Sequence, residues 1–135
     1  MNLYKALANF LGYELINRGG NTSLGFHIID LVKLRGVDLV LDIGGNMGQF
    51  TKSLRQDGYQ GEVHSFEPVK STFVQLQQAS DQDTKWFVHN FAMGDILGQK
   101  EVNVTVSSDF ASFLQPNEYG MKRFKKNNTG YTEIV

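Results

Sequence analysis

The chain has no cysteine. Disulfides, thiolate metal sites and cysteine nucleophiles are therefore excluded, and the redox compartment is left open. Histidine is scarce: His27, His64 and His89 lie far apart, without the spacing of a ligand set, so no metal site is indicated. Neither sign of charge dominates. The 13 Lys and Arg stand against 14 Asp and Glu, a formal net charge of -1, which gives no basic field for nucleic acid or anionic lipid. The apolar stretch at the N-terminus is broken by Asn9, Gly12 and Glu14, which makes it a poor signal peptide and too polar to span a membrane. A soluble, cytoplasmic protein is the expectation. No G-x-G-x-x-G register is present, which disfavours NAD or FAD, and no Lys-Ser or Lys-Thr follows the glycine-rich turn, which removes the P-loop.

What is present suits one domain with one core, at 135 residues and 41% hydrophobic content. Residues 39–50, LVLDIGGNMGQF, organise the rest. Leu39, Val40 and Leu41, closed by Asp42 and Ile43, read as a strand buried on both faces. Gly44, Gly45 and Gly48 free the backbone for positive φ and close ligand approach, and Asn46 is the non-glycine residue that best tolerates such a turn. Helix resumes near Gly48, Gln49 and Phe50 and runs through Leu54 to a stop at Gly58. Strand, glycine turn and helix together form a nucleotide-type site. Its pattern is acidic-x-Gly-x-Asn-x-Gly. A carboxylate at the strand end repels phosphate and suits a cationic ligand, such as the ammonium and sulfonium groups of S-adenosylmethionine. A tight connection without a ligand would look the same from this stretch alone.

Before it, Leu3, Leu7, Phe10 and Leu11 recur at helical spacing and read as a short amphipathic helix, or as an arm contacting a partner. Ser23 caps a second helix with Leu24, Ile28, Leu31 and Val32 as its buried stripe and His27 facing solvent. Residues 1–36 thus form a helical segment that packs on a domain spanning 37–135. Residues 62–66 read as a strand parallel to the first, ending in Glu67 and Pro68. Asp42 and Glu67 then close successive strands at one edge of the sheet, where open α/β folds bind ligands. Glu67 lies 19 residues after Gly48, a spacing that suits hydrogen bonds from ribose hydroxyls. A carboxylate there also caps a helix that begins at Pro68. Val69, Phe73 and Leu76 give residues 68–79 one apolar face. Residues 85–89 form a third strand with Trp86 and Phe87 in the core, and it leads to Asn90, Phe91 and Ala92, where an adenine would lie. Residues 101–106 alternate as a half-exposed strand, and Ser107, Ser108, Asp109, Ala111 and Ser112 form a polar loop. Residues 122–126, KRFKK, read as a solvated helix end.

With these residues laid out, the chain resembles the FkbM family of S-adenosylmethionine-dependent methyltransferases. Four stretches carry the resemblance: Gly12-Tyr13-Glu14-Leu15-Ile16, residues 42–50, Phe66-Glu67-Pro68, and Asn90-Phe91-Ala92-Met93-Gly94-Asp95. The family's usual alanine in the third motif position is Gly45 here. The resemblance implies an α/β, Rossmann-like class I methyltransferase fold that is incomplete and truncated at the C-terminus, with three parallel strands, flanking helices and an additional strand. It implies that Asp42, Gly44, Asn46 and Gly48 surround the methionine moiety of S-adenosylmethionine, that Glu67 binds its ribose, and that Asn90, Phe91 and Ala92 border its adenine. Gly45, Gln49, Phe50 and Pro68 complete the implied set. The reaction would be methyl transfer to an oxygen of a sugar or other small metabolite, by in-line displacement. No residue is named as its catalytic base. The rival reading is a non-catalytic half-domain that binds a nucleoside-type ligand or associates with another chain. No nucleic-acid or membrane partner is expected. The strands that pair with the free side of residues 39–43 in that family have no counterpart here, so self-association through an exposed strand edge is expected.

Overall fold

The computed structural model describes residues 10–11, 24–105, 111–115, 117–123 and 130–135. Most of the expected first helix, the stretch 12–16, residues 107–109 and residues 124–126 lie outside them. In order, the elements are α1 (Leu24–Arg35), β1 (Leu39–Ile43), α2 (Gln49–Gln56), β2 (Glu62–Phe66), α3 (Lys70–Ser80), β3 (Trp86–His89), β4 (Glu101–Thr105), α4 (Glu118–Arg123) and β5 (Gly130–Ile134). β1, β2 and β3 form a parallel sheet in that order, with Leu41 beside His64 and His64 beside Phe87. The architecture is mixed α/β, a three-stranded parallel sheet flanked by helices and compatible with a Rossmann-like fold.

Side chains alternate across the sheet, so Val40, Val63, Trp86 and Val88 share one face. Ile28, Ile29 and Val32 of α1, Leu54 of α2 and Phe73, Leu76 and Ala79 of α3 all pack there. The expected stripe of α1 is corrected at one position: Ile28 and Val32 pack as expected, Leu31 faces solvent, Ile29 is the buried residue among the described side chains, and the Leu24 side chain lies outside them. Two further expectations are also overturned. Leu41 is 55% exposed and Phe87 43% exposed, so β1 is not buried on both faces and Phe87 is not core. The physical reason is that α1, α2 and α3 cover the same face. On the opposite face Leu39, Leu41 and Ile43 lie beside His64, Phe66, Phe87 and His89. His64 Nδ1 and His89 Nε2 are 3.0 Å apart, with ring centroids 5.2 Å apart and planes 10° from parallel, so the imidazoles meet edge to edge through one shared hydrogen bond. Burial, and then the neighbouring His64, hold His89 below the usual histidine pKa.

The glycine turn forms where the sequence places it, with positive φ at Gly44 and Gly48 but not at Gly45. Gly44 and Gly48 have φ of 79° and 82°, and Asn46 adopts 47°. The Gly44 and Gly45 N–H groups donate to the Phe66 carbonyl at 2.9 and 3.0 Å, tying the turn to the end of β2. At Gly48 a Cβ would come within 2.5 Å of Trp86 Cη2, so the position requires glycine for both conformation and space.

β4 and β5 form a separate antiparallel pair, with Val102 opposite Glu133. On its other side β4 is bridged to Ser112 through paired backbone hydrogen bonds at Asn103. This layer docks on the start of α3. Val102 and Val104 pack on Val69, Glu133 Oε1 accepts the Lys70 N–H at 3.0 Å, and the Ser71 and Tyr131 hydroxyls meet at 3.2 Å. Glu133 thus satisfies one of the donors that every helix start leaves open.

Two outcomes follow for stability and assembly. Gly48→Ala is expected to lower unfolding free energy in urea by about 2–5 kcal/mol, combining left-handed strain with overpacking. Gly58→Ala, at φ 94° with nothing within 4 Å, is expected to cost only about 1–2 kcal/mol. Equal losses at the two sites would contradict the role of Trp86. In sedimentation velocity the chain is expected to self-associate with rising concentration and Leu41→Lys to shift it towards monomer, because β1 carries no lysine, proline or bulge to blunt its edge. A sharply melting wild-type monomer would sink that expectation.

Candidate functional site

At the C-terminal edge of the parallel sheet a chamber of about 260 Å³ opens between the two layers. Gly44 and Asn46 from the turn and Phe66, Glu67 and Pro68 from the end of β2 form one wall. Val102, Ala111, Ser112 and Phe113 form the other, and Ala92 and Met93 close the side towards β3. The site is built as the strand ends dictate: β1 and β2 run parallel in register, so the segments that leave them emerge together.

Glu67 is its central polar group. The residue is only 6% exposed, and both carboxylate oxygens are engaged: Oε2 accepts the Asn46 N–H at 3.0 Å and Oε1 accepts the Val69 N–H at 2.9 Å. A carboxylate offers about four lone-pair sites, so acceptor capacity remains for a ligand. Burial pushes the Glu67 pKa up, the two N–H bonds oppose it, and the charges of Glu133 and Asp42 add to the rise. Asp42, 9% exposed, lies behind the turn: its Oδ2 accepts from Thr51 Oγ1 at 3.1 Å and from Ser65 Oγ at 2.9 Å, and Ser65 Oγ in turn accepts from Trp86 Nε1 at 2.9 Å.

The residues singled out from the sequence fall into three groups. Gly44, Asn46, Glu67, Pro68 and Ala92 line the chamber directly. Asp42, Gly45 and Gly48 are buried behind it and shape the turn, and Gln49 Oε1 accepts the Met47 N–H at 3.1 Å. Phe50 lies on α2, partly exposed, and does not reach the lining. Asn90 also stands outside the lining. Its Nδ2 donates to the Glu67 and Pro68 carbonyls at 2.9 and 3.0 Å, which fixes the β3 exit against the β2 exit. Phe91 lies one step further along the edge, against Phe66 and His89. Sequence reasoning missed Met93, Val102 and Phe113 as site residues. Met93 follows directly on the marked Asn90, Phe91 and Ala92, whereas nothing in the local pattern marks Val102 and Phe113, which reach the site only through the docking of the second layer.

Among the described residues no group of His, Asp and Glu is arranged to hold a metal ion, and no helix is long and apolar enough to cross a membrane. In comparison with known proteins, no family model matches the chain and no curated protein matches it.

The raised Glu67 pKa has a measurable sign. Folded Glu67 binds its proton more tightly than unfolded Glu67, so its ionisation costs stability. That cost is absent below the ordinary value of 4.5 and fully present above the raised folded value. Glu67→Gln is accordingly expected to flatten the decline in stability as pH rises from 4.5 towards neutral, read from urea unfolding across pH. An unchanged slope would show that Glu67 is not the titrating group.

Proposed function

We propose that this chain is the cofactor-binding part of an S-adenosylmethionine-dependent methyltransferase of the FkbM type, with a hydroxyl of a sugar or other small metabolite as acceptor. The observation that carries the reading is Glu67, a nearly buried carboxylate that lines a chamber beside an open glycine turn. A carboxylate so placed suits two adjacent hydroxyls, the pattern a ribose presents. A second observation supports a cationic ligand. Two carboxylates stand at this edge, Glu67 in the lining and Asp42 behind the turn, and a ligand with ammonium and sulfonium groups would be attracted to them. The turn also leaves room: nothing lies within 4 Å of the place a Cβ on Gly44 would occupy. The residues present therefore fit the group.

When bound, S-adenosylmethionine supplies a methyl on a sulfonium centre, open to in-line displacement by an acceptor oxygen. The chain's own residues bind and orient. Glu67 would hold the sugar ring and the Gly44 to Asn46 backbone would meet the amino-acid end, while Asn90 ties the β3 exit to the β2 exit. No proton transfer is assigned to them.

Isothermal titration with S-adenosylhomocysteine, the demethylated product, tests the reading. The chain is expected to bind it, NAD is expected not to compete, and Glu67→Ala should weaken binding about 10- to 100-fold through loss of charge-assisted hydrogen bonds. Absence of binding, or binding indifferent to Glu67, would overturn it. Binding by a chain that transfers no methyl to any hydroxyl acceptor is the outcome expected of a nucleoside-binding module.

A further inference from the structure

A larger groove lies on the helical side of the sheet, between α2 and the connection from α3 to β3. Its volume is about 530 Å³, and it shares no lining residue with the chamber at the strand ends. Lys52, Arg55 and Lys85 line it, with Asp83 as the one carboxylate. Arg55 is committed to structure: its Nε donates to Asp83 Oδ2 at 2.6 Å, and its other nitrogens reach the Tyr59, Gly61 and Lys85 carbonyls at 3.0, 2.8 and 3.2 Å. The two lysines are less tied. Neither forms an ion pair with a described residue, and each ammonium gives one hydrogen bond to a backbone carbonyl, Lys52 to Met47 at 3.3 Å and Lys85 to Gln60 at 3.1 Å. An ammonium has three donors, so two remain on each. The anchoring carbonyls flank α2, a helix of 8 residues that spans about 12 Å, which sets the two cations at opposite ends of the groove. Gln56, Gln82 and Thr84 also line it, and their side chains form no hydrogen bond with a described residue.

We infer that this groove binds an acidic oligosaccharide, with Lys52 and Lys85 each meeting a carboxylate and Gln56, Gln82 and Thr84 meeting neutral sugar hydroxyls. The inference goes beyond the cofactor reading and does not depend on it. Charge spacing is the first argument. Two cations set a helix length apart suit two separated anions, which a single phosphate or carboxylate does not supply. The polar lining is the second. Glutamine amides and a threonine hydroxyl both donate and accept, as sugar hydroxyls do. The apolar lining is the third: it consists of Ala79 and Trp86, and Trp86 is only 6% exposed. A nucleotide base thus finds no exposed ring to stack on. A helical peptide needs an apolar groove and a phosphopeptide an arginine cluster, and this lining provides neither.

Isothermal titration at low salt with a tetrasaccharide of alternating uronic acid and neutral sugar tests the inference. Wild type is expected to bind it, and to bind the neutral, carboxyl-reduced form of the same tetrasaccharide about tenfold more weakly. Lys52→Gln and Lys85→Gln are each expected to weaken the acidic compound about threefold, the scale of an exposed ion pair, and the double variant about tenfold. Added salt is expected to erode the preference for the acidic form. Both lysines are exposed, so the variants should fold, and far-UV circular dichroism checks that they do. No binding, equal affinity for the acidic and neutral forms, or affinity indifferent to both lysines would overturn the inference. An acidic peptide of the same length and charge that binds as tightly would overturn it too. None of these outcomes bears on S-adenosylhomocysteine, whose binding is read separately at Glu67.

Discussion

One carboxylate oxygen, Asp42 Oδ2, holds the end of β1 to the start of α2 and to β2. It accepts from Thr51 and from Ser65, and the Ser65 hydroxyl also accepts the indole N–H of Trp86 in β3. Thr51 and Ser65 are fully buried, so each of these groups would cost free energy if left unpaired. Linked, they form a network whose members specify one another's positions. Trp86 in turn lies where a side chain on Gly48 would have to go, which ties the helix start to the third strand. The glycine turn is therefore defined from below, by the core.

From above, the turn is defined by Glu67. Its two oxygens bind the backbone of the turn and the backbone that leads into α3, and Asn90 clasps the same segment from the β3 side. Asp42 and Glu67 so do different work although both close a strand. Asp42 is spent on architecture, while Glu67 keeps part of its acceptor capacity for whatever enters the chamber. Burial is the main reason that the Glu67 pKa is raised, with the charges of Glu133 and Asp42 adding to it.

Much of this was legible in the residues. The β-branched run, three glycines and Asn46 placed the first strand and its turn, and the interval to Glu67 placed the second acid at the same edge. Those features are local, or depend on a spacing that parallel strands enforce. What escaped depends on contacts distant in the chain. Leu41 and Phe87 have the composition of doubly covered strands, and composition does not say which faces the helices take. Leu31 and Ile29 differ by little over half a helical turn, enough to exchange core for solvent when the register of a helix is misjudged. Asn90 reads as a ligand contact in sequence, and nothing in that pattern shows that its Nδ2 donates to carbonyls of another loop. Phe113 carries no signal whatever, since its place follows from the antiparallel layer docking on α3.

That docking rests on few contacts: a valine cluster, Glu133 on the Lys70 amide, and the hydroxyls of Ser71 and Tyr131. Because the chamber has one wall in each layer, a ligand that filled it would touch both, and its binding would require the layers to be docked. Apparent affinity would then be the intrinsic affinity multiplied by the docked fraction. Tyr131 and Glu133, which stand outside the lining, would then bear on occupancy through the docking contacts they make, so the antiparallel pair would tune the chamber as well as wall it.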